Sequence, residues 1–236
     1  MNFNIGMISL GCAKNTTDSE IMLGILSKKG AKLVNDAAEA DVIIVNTCGF
    51  IESAKQESID TILEMAEYKK GRCRLLIVTG CLAERYNEEV LREFPEIDAI
   101  VGVGDYDKIA EIIDIATTGE RPAVYGHMDC DVPEGLPRIL TTGSTSAYIK
   151  IAEGCDNNCT YCAIPKIRGR YRSRKEEDIL DEAQKLANDG IKELIVIAQD
   201  TTRYGIDIYG EYRLAELLRK LCRIDGLRWI RVHYFY

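Results

Sequence analysis

The chain has 236 residues, 46% hydrophobic and 29% charged, which suits one large or two ordinary buried cores and excludes a disordered composition. Its net charge of −8 is uneven: residues 1–140 hold 14 Lys/Arg against 24 Asp/Glu, whereas residues 141–236 hold 16 against 14. So acidic a first half argues against general nucleic-acid affinity, and any basic surface has to be local. The opening "MNFNIGMISLGC" lacks the basic flank and long apolar core of a secretory signal, and runs such as "VIIV" and "LLIV" are far too short to span a bilayer. The expectation is a cytoplasmic protein without membrane contact. In a reducing compartment, nine cysteines are buried small hydrophobes or metal and redox ligands rather than disulfides.

In chain order, "NIGMISLG" reads as a strand and "DSEIMLGILSKKG" as a helix, with Thr17 or Asp18 near its N-cap and Gly30 past its end. "AKLV" is a short strand, "ADVIIVNTC" an apolar one, and "ESAKQESIDTILEMAEYKKG" a long amphipathic helix. "RLLIVTGC", "ERYNEEVLREF", "AIVGV" and "KIAEIIDIATTG" continue as strand, helix, strand, helix. Strands that are apolar throughout and separated by helices imply a parallel sheet covered on both faces. The expected fold of residues 1–117 is a five-stranded doubly wound α/β domain with flavodoxin-like strand order 2-1-3-4-5.

Residues 118–146 hold three of the five prolines and four glycines, and read as a linker or crossing arm. From 147 the alternation restarts: strand "AYIKIAEGC", helix "EEDILDEAQKLANDG", strand "ELIVIAQD", helix "YRLAELLRKLCRIDG" and strand "LRWIRVHYFY". Three strands and two helices cannot close a barrel, and a parallel strand at a bare edge is a liability. The sequence is therefore expected to be a fragment of a longer protein, inactive or nearly so alone.

Cys155-x3-Cys159-x2-Cys162 puts three thiols into eight residues at the end of the first strand of this segment. Structural zinc sites use four ligands in paired spacing, and no fourth Cys, nor His127 or His233, is suitably spaced. Three thiolates on one short loop suit three irons of a 4Fe–4S cube, the fourth iron staying open to a small ligand. A three-Cys zinc site is the alternative.

Cys12, Cys48 and Cys81 are 36 and 33 residues apart, yet each directly follows an apolar strand. In a parallel sheet they share the carboxyl edge, where open α/β sheets bind ligands. In the order 2-1-3-4-5 their strands are neighbours, about 4.8 Å apart, so the thiols could converge on one cofactor, with Gly11, Gly49 and Gly80 allowing tight turns. Cys is also common at buried strand ends, which is the plainer explanation. Cys73 and Cys130 have no such setting, and Cys222, on a face with Leu214, Leu218 and Leu221, reads as core.

The C-x3-C-x2-C loop with Tyr161 before its last Cys resembles the signature of the radical S-adenosylmethionine (SAM) superfamily. There the open iron chelates SAM, which one electron cleaves to a 5′-deoxyadenosyl radical. Joined to an α/β domain with three strand-end cysteines, the whole resembles the methylthiotransferases. "SLGCAKNTTDSE", "GCDNNCTYCAIPKIRGRYRSR", "AQDTTRYG" and "IRVHYFY" resemble the RimO branch, which modifies the β-carbon of an aspartate in the twelfth ribosomal protein of the small subunit. The other branch modifies adenosine in transfer RNA.

The resemblance implies two 4Fe–4S clusters, the SAM-cleaving one on Cys155, Cys159 and Cys162, and an auxiliary one on Cys12, Cys48 and Cys81. It implies Tyr161 beside the adenine and Gln199 and Asp200 at the SAM amino group, unless those two merely cap a strand end. It implies the ribosomal protein as partner, together with an electron donor and a sulfur donor that it does not identify.

Lys166, Arg168, Arg170, Arg172, Arg174 and Lys175 put six positive charges in ten residues. In an extended segment the four arginines would share one face. They would either be solvated opposite Glu176, Glu177 and Asp178 or handle anions such as SAM groups and ribosomal RNA. A zinc-stabilised binding module without catalysis is the reading from outside the enzymes.

Overall fold

A computed structural model describes residues 3–130 and 132–235, which form two compact units. The first comprises Met1–Met128 and Leu136–Ile139, the second Asp129–Gly135 and Leu140–Tyr236.

The first unit runs β1 (Asn4–Ser9), α1 (Ala13–Lys28), β2 (Lys32–Leu33), β3 (Val42–Thr47), α2 (Glu52–Glu67), β4 (Leu75–Gly80), α3 (Cys81–Glu93), β5 (Ala99–Val101), α4 (Ile109–Ala116) and β6 (Ala123–Val124). All pairings are parallel, in the order β2-β1-β3-β4-β5-β6. The doubly wound sheet follows from period two along the strands. Ile5, Val42, Ile44, Ile77 and Val101 meet Met22 and Leu26 of α1 and Ile109, Ile112 and Ile113 of α4. Their neighbours Ile43, Val45, Leu76, Val78 and Ile100 meet Ile62 and Met65 of α2 and Leu82 and Val90 of α3.

Two expectations need correction. The sheet has six strands rather than five: Ala123 and Val124 pair with Ile100 and Val101, inside the stretch read as a linker. A strand of two residues between Pro122 and Gly126 leaves no period to read. Helix α1 starts at Ala13 with Cys12 as N-cap, five residues before the expected start. Thr17 and Asp18 lie within it and are buried, as are Asn15, Ser19 and Glu20. A buried face made of polar residues hides the hydrophobic period.

Part of that polar face receives the segment 136–139. Pro137 lies so close to Gly24 that a Cβ there would sit 2.3 Å from its carbonyl oxygen. The amide of Ile139 donates to the Glu20 carbonyl at 3.0 Å. Arg138 donates from Nε and Nη2 to Glu20 Oε2 at 2.9 and 2.5 Å, with both side chains buried.

The second unit runs β7 (Ser146–Lys150), β8 (Ala152–Glu153), α5 (Ile164–Arg168), β9 (Arg172–Ser173), α6 (Glu176–Asn188), β10 (Glu193–Ile197), α7 (Ile206–Tyr209), α8 (Leu214–Leu221) and β11 (Trp229–Val232). A parallel sheet β11-β10-β7 packs Ala147, Ile149, Leu194 and Val196 against Ile179, Ala183 and Leu186 of α6 and Leu214, Leu217 and Leu221 of α8. The first expected strand is divided, because after Lys150 the chain leaves the sheet and β8 pairs antiparallel with β9. Cys222 is exposed rather than core, since it caps α8 just beyond the last buried leucine. Tyr236, the end of the last expected strand, lies outside the described residues. No described helix is long and apolar enough to cross a membrane.

Candidate iron–sulfur and SAM site

The carboxyl ends of β1, β3 and β4 are adjacent, with Ser9 opposite Asn46 and Thr47 opposite Gly80 in the ladder. Each leads into a cysteine. Cys12 caps α1, Cys81 is the first residue of α3, and Cys48 precedes α2 by a short turn. The positive ends of helices attract anions, so this edge suits a negatively charged group.

Glycines let the three turns approach. A Cβ on Gly11, at φ +86°, would lie 2.8 Å from Cys48 Cβ and 3.2 Å from its sulfur. A Cβ on Gly49 would lie 2.9 Å from Leu82 Cα and 3.1 Å from the Cys81 carbonyl carbon. The structure thus brings the Cys12, Cys48 and Cys81 segments together. Two asparagines, both about 1% exposed, hold them. Asn15 Nδ2 donates to the carbonyls of Leu10 (3.0 Å) and Thr47 (2.8 Å), and Cys81 Sγ lies 3.7 Å from its Oδ1. Asn46 Nδ2 donates to the Asn15 carbonyl (2.8 Å) and to Ser19 Oγ (2.9 Å). Sequence reasoning missed both. The one signal was the polar Asn46 after the apolar run "VIIV" of β3.

In the second unit Gly154, at φ +71°, passes under the turn at 169–170. The Cys155 amide donates to the Gly169 carbonyl at 3.1 Å, and that of Cys162 to Cys159 at 3.0 Å. Cys155 is buried, Cys162 half-buried and Cys159 exposed. Burial pushes the Cys155 thiol up, so a thiolate there needs a cation beside it, which a metal centre supplies. Among the described residues no three His, Cys, Asp or Glu side chains are placed to hold a single metal ion. An iron–sulfur cube asks for a looser set, one thiolate per iron.

Gln199 and Asp200 follow β10 and behave differently. Asp200 Oδ1 accepts from the Thr202 amide at 3.0 Å, capping a short turn, while Oδ2 accepts from Asn157 of the cysteine loop at 3.2 Å. Gln199 is 8% exposed, and neither its Oε1 nor its Nε2 has a hydrogen-bond partner. A buried amide with nothing to bind is costly unless a ligand completes it, and this is the observation that fits SAM. Tyr161 stands 85% exposed between the last two cysteines.

The basic run is not one extended face. Lys166 and Arg168 lie in α5. Arg168 is buried and donates to both Glu153 oxygens at 2.9 and 3.1 Å, and Lys150 also pairs with Glu153. Burial works against the Glu153 carboxylate, but Lys150 and Arg168 outweigh it and hold its carboxyl well below the usual range. Arg174 is buried too, Nε at 2.9 Å from Asp178 and Nη1 at 2.7 Å from Glu182. Arg170 alone of the four arginines is strongly exposed, its side chain at 80%.

Residues 4–102 match the uncharacterized protein family UPF0004, and residues 149–235 match the radical SAM superfamily. The chain is 58% identical to the ribosomal protein uS12 methylthiotransferase RimO of Thermoanaerobacter sp. (strain X514), over 99% of this chain and 53% of that protein. It is 61% identical to the RimO of Clostridioides difficile (strain 630), over 98% and 52%. The chain thus spans about half the length of the curated relatives it matches. Among solved structures, the radical SAM methyltransferase TsrM from Kitasatospora setae, with cobalamin and a 4Fe-4S cluster bound, superposes with a TM-score of 0.61 at 16% identity, covering 93% of this chain and 52% of that one, a likeness of fold alone. With a UPF0004 segment joined to a radical SAM segment, and such identity along nearly its whole length, the chain is similar to the RimO proteins.

Proposed function

We propose that the protein containing this chain is a ribosomal-protein methylthiotransferase that adds a methylthio group to the β-carbon of an aspartate in uS12, and that the 236 residues hold its two cluster sites. The observation carrying this is the presence, on one chain, of two separate sets of three cysteines, one in a C-x3-C-x2-C loop and one where three adjacent strands end. A radical SAM segment brings with it SAM and one 4Fe–4S cluster, and the strand-end cysteines bring the second. When bound, these groups supply reductive cleavage of SAM and the sulfur to be transferred.

The residues of the chain do the holding. Cys155, Cys159 and Cys162 bind one cluster, on a loop fixed by the Cys155–Gly169 hydrogen bond and by Asn157 on Asp200. Gln199 offers its amide to the SAM amino and carboxylate groups. Asp200 positions the cysteine loop and the turn after β10, and Tyr161 covers the adenine. Cys12, Cys48 and Cys81 bind the second cluster at the sheet edge.

The test is anaerobic reconstitution followed by iron and sulfide counts on the parent, on a Cys155/Cys159/Cys162 triple-Ala variant and on a Cys12/Cys48/Cys81 triple-Ala variant. About eight irons in the parent and about four in each variant are expected for two cubane clusters. Iron lost only with the Cys155 set rejects the second cluster. Stoichiometric zinc in a colourless protein points instead to the binding module. For the whole-length protein, the mass of uS12 incubated with it under reducing conditions reads the activity, and a modified adenosine in transfer RNA would reassign the substrate.

A further inference from the structure

The strand-end thiols come from three segments tens of residues apart, so something beyond the sheet has to fix their spacing. We infer that Asn15 is the positioning residue of this site: its single amide sets the spacing of the Cys12, Cys48 and Cys81 thiols. Its two N–H bonds go to two backbone carbonyls, Leu10 O, two residues before Cys12, and Thr47 O, one residue before Cys48. Its oxygen faces the sulfur of Cys81. Two donors meet two acceptors, so the orientation of the amide follows from the network. Asn15 stands in the first turn of α1, three residues after Cys12, and is 1% exposed.

Its own place is fixed from the neighbouring strand. Asn46 donates to the Asn15 carbonyl and to Ser19 Oγ, which is 2.9 Å from Ser9 Oγ. Asn46 Oδ1 also lies over the turn before Cys81, where a Cβ on Gly80 would come within 2.3 Å of it. A residue serving only the fold could be replaced by one of equal volume. A residue setting thiol spacing through two donated bonds cannot be replaced by aspartate, whose carboxylate has no hydrogen for either carbonyl.

The iron arm of the test rests on Cys12, Cys48 and Cys81 being cluster ligands, so a second arm avoids iron. In a full chain with Cys130, Cys155, Cys159, Cys162 and Cys222 replaced by Ser, Asn15 is changed to Ser, Asp and Ala. Each variant is titrated with phenylarsine oxide, which bonds to neighbouring thiols, and is separately reconstituted with iron and sulfide. Far-ultraviolet circular dichroism monitors folding. Arsenical affinity is expected to fall about tenfold for Asn15→Ala and Asn15→Asp, the equivalent of one or two lost hydrogen bonds, with Asn15→Ser between them and the parent. Iron should fall from about four per chain in the same order. Arsenical affinity that follows this order while no variant or parent binds iron supports the positioning role and sinks the cluster reading. Asn15→Asp equal to the parent in affinity, all variants equal to the parent, or every variant unfolded overturns the inference.

Discussion

At Gly154 the backbone runs at φ +71°, and a Cβ would land 1.9 Å from the Arg170 carbonyl oxygen. Neither the conformation nor the space tolerates a side chain. Gly154→Ala is therefore expected to displace the cysteine loop and, on the proposed two-cluster arrangement, to lower the iron bound after reconstitution by about one cluster; iron analysis equal to the parent would contradict it. The adjacency of the Cys12, Cys48 and Cys81 segments was legible because their positions after strands are local properties. Gln199 and Asp200 were legible only as a pair. Which caps and which is left unpartnered depends on Thr202 and on Asn157 of another loop. Arg168 and Arg174 read as surface charge because their partners Glu153 and Glu182 look, in sequence, like ordinary solvated carboxylates.

Between elements, polar residues do work usually given to apolar ones. Helix α1 meets the 136–139 arm through Gly24, so Gly24→Ala should destabilise the protein, although the same change in an open helix gains about 1 kcal/mol; a higher urea midpoint would refute the arm's packing. Another such joint lies beyond β5, where buried Glu84 of α3 accepts from the Val103 amide at 3.1 Å and the Gly126 amide at 2.9 Å. Burial pushes its carboxyl above its ordinary 4.5, the two amides partly offset this, and Asp105 adds to the rise. A raised folded-state value means that the stability tied to protonation is complete below pH 4.5 and is lost as pH rises through the folded value. Relative to Glu84→Gln, the parent's unfolding free energy should therefore decline as pH rises above 4.5; denaturant titrations showing it increase there would reverse the sign. The start of α1 and the two-residue β6 escaped sequence reading because a polar buried face and so short a strand carry no periodicity.

For the whole molecule, charge decides what the basic run can do. Arg168 and Arg174 are neutralised inside the second unit, Arg170 lies 3.6 Å from Asp129, Lys175 lies 3.2 Å from Glu134, and the chain as a whole carries −8. Phosphate binding needs several unpaired cations on the surface, and Lys166, exposed in α5, is one charge. This chain is accordingly expected to show no salt-dependent complex with an RNA duplex or single strand in mobility-shift titrations, and a tight one would restore the RNA-contact reading of residues 166–175. By itself the sequence determined the alternation of apolar strands and helices, hence a doubly wound parallel sheet, and the two sets of three cysteines, because period and spacing are written in contiguous residues. Only the tertiary structure decided how the buried polar groups pair: Asn15 with Thr47 and Cys81, Glu20 with Arg138, Arg168 with Glu153. Burying such a group is favourable only when a partner from elsewhere in the chain arrives with the right geometry, and that partner is set by packing, not by sequence neighbourhood.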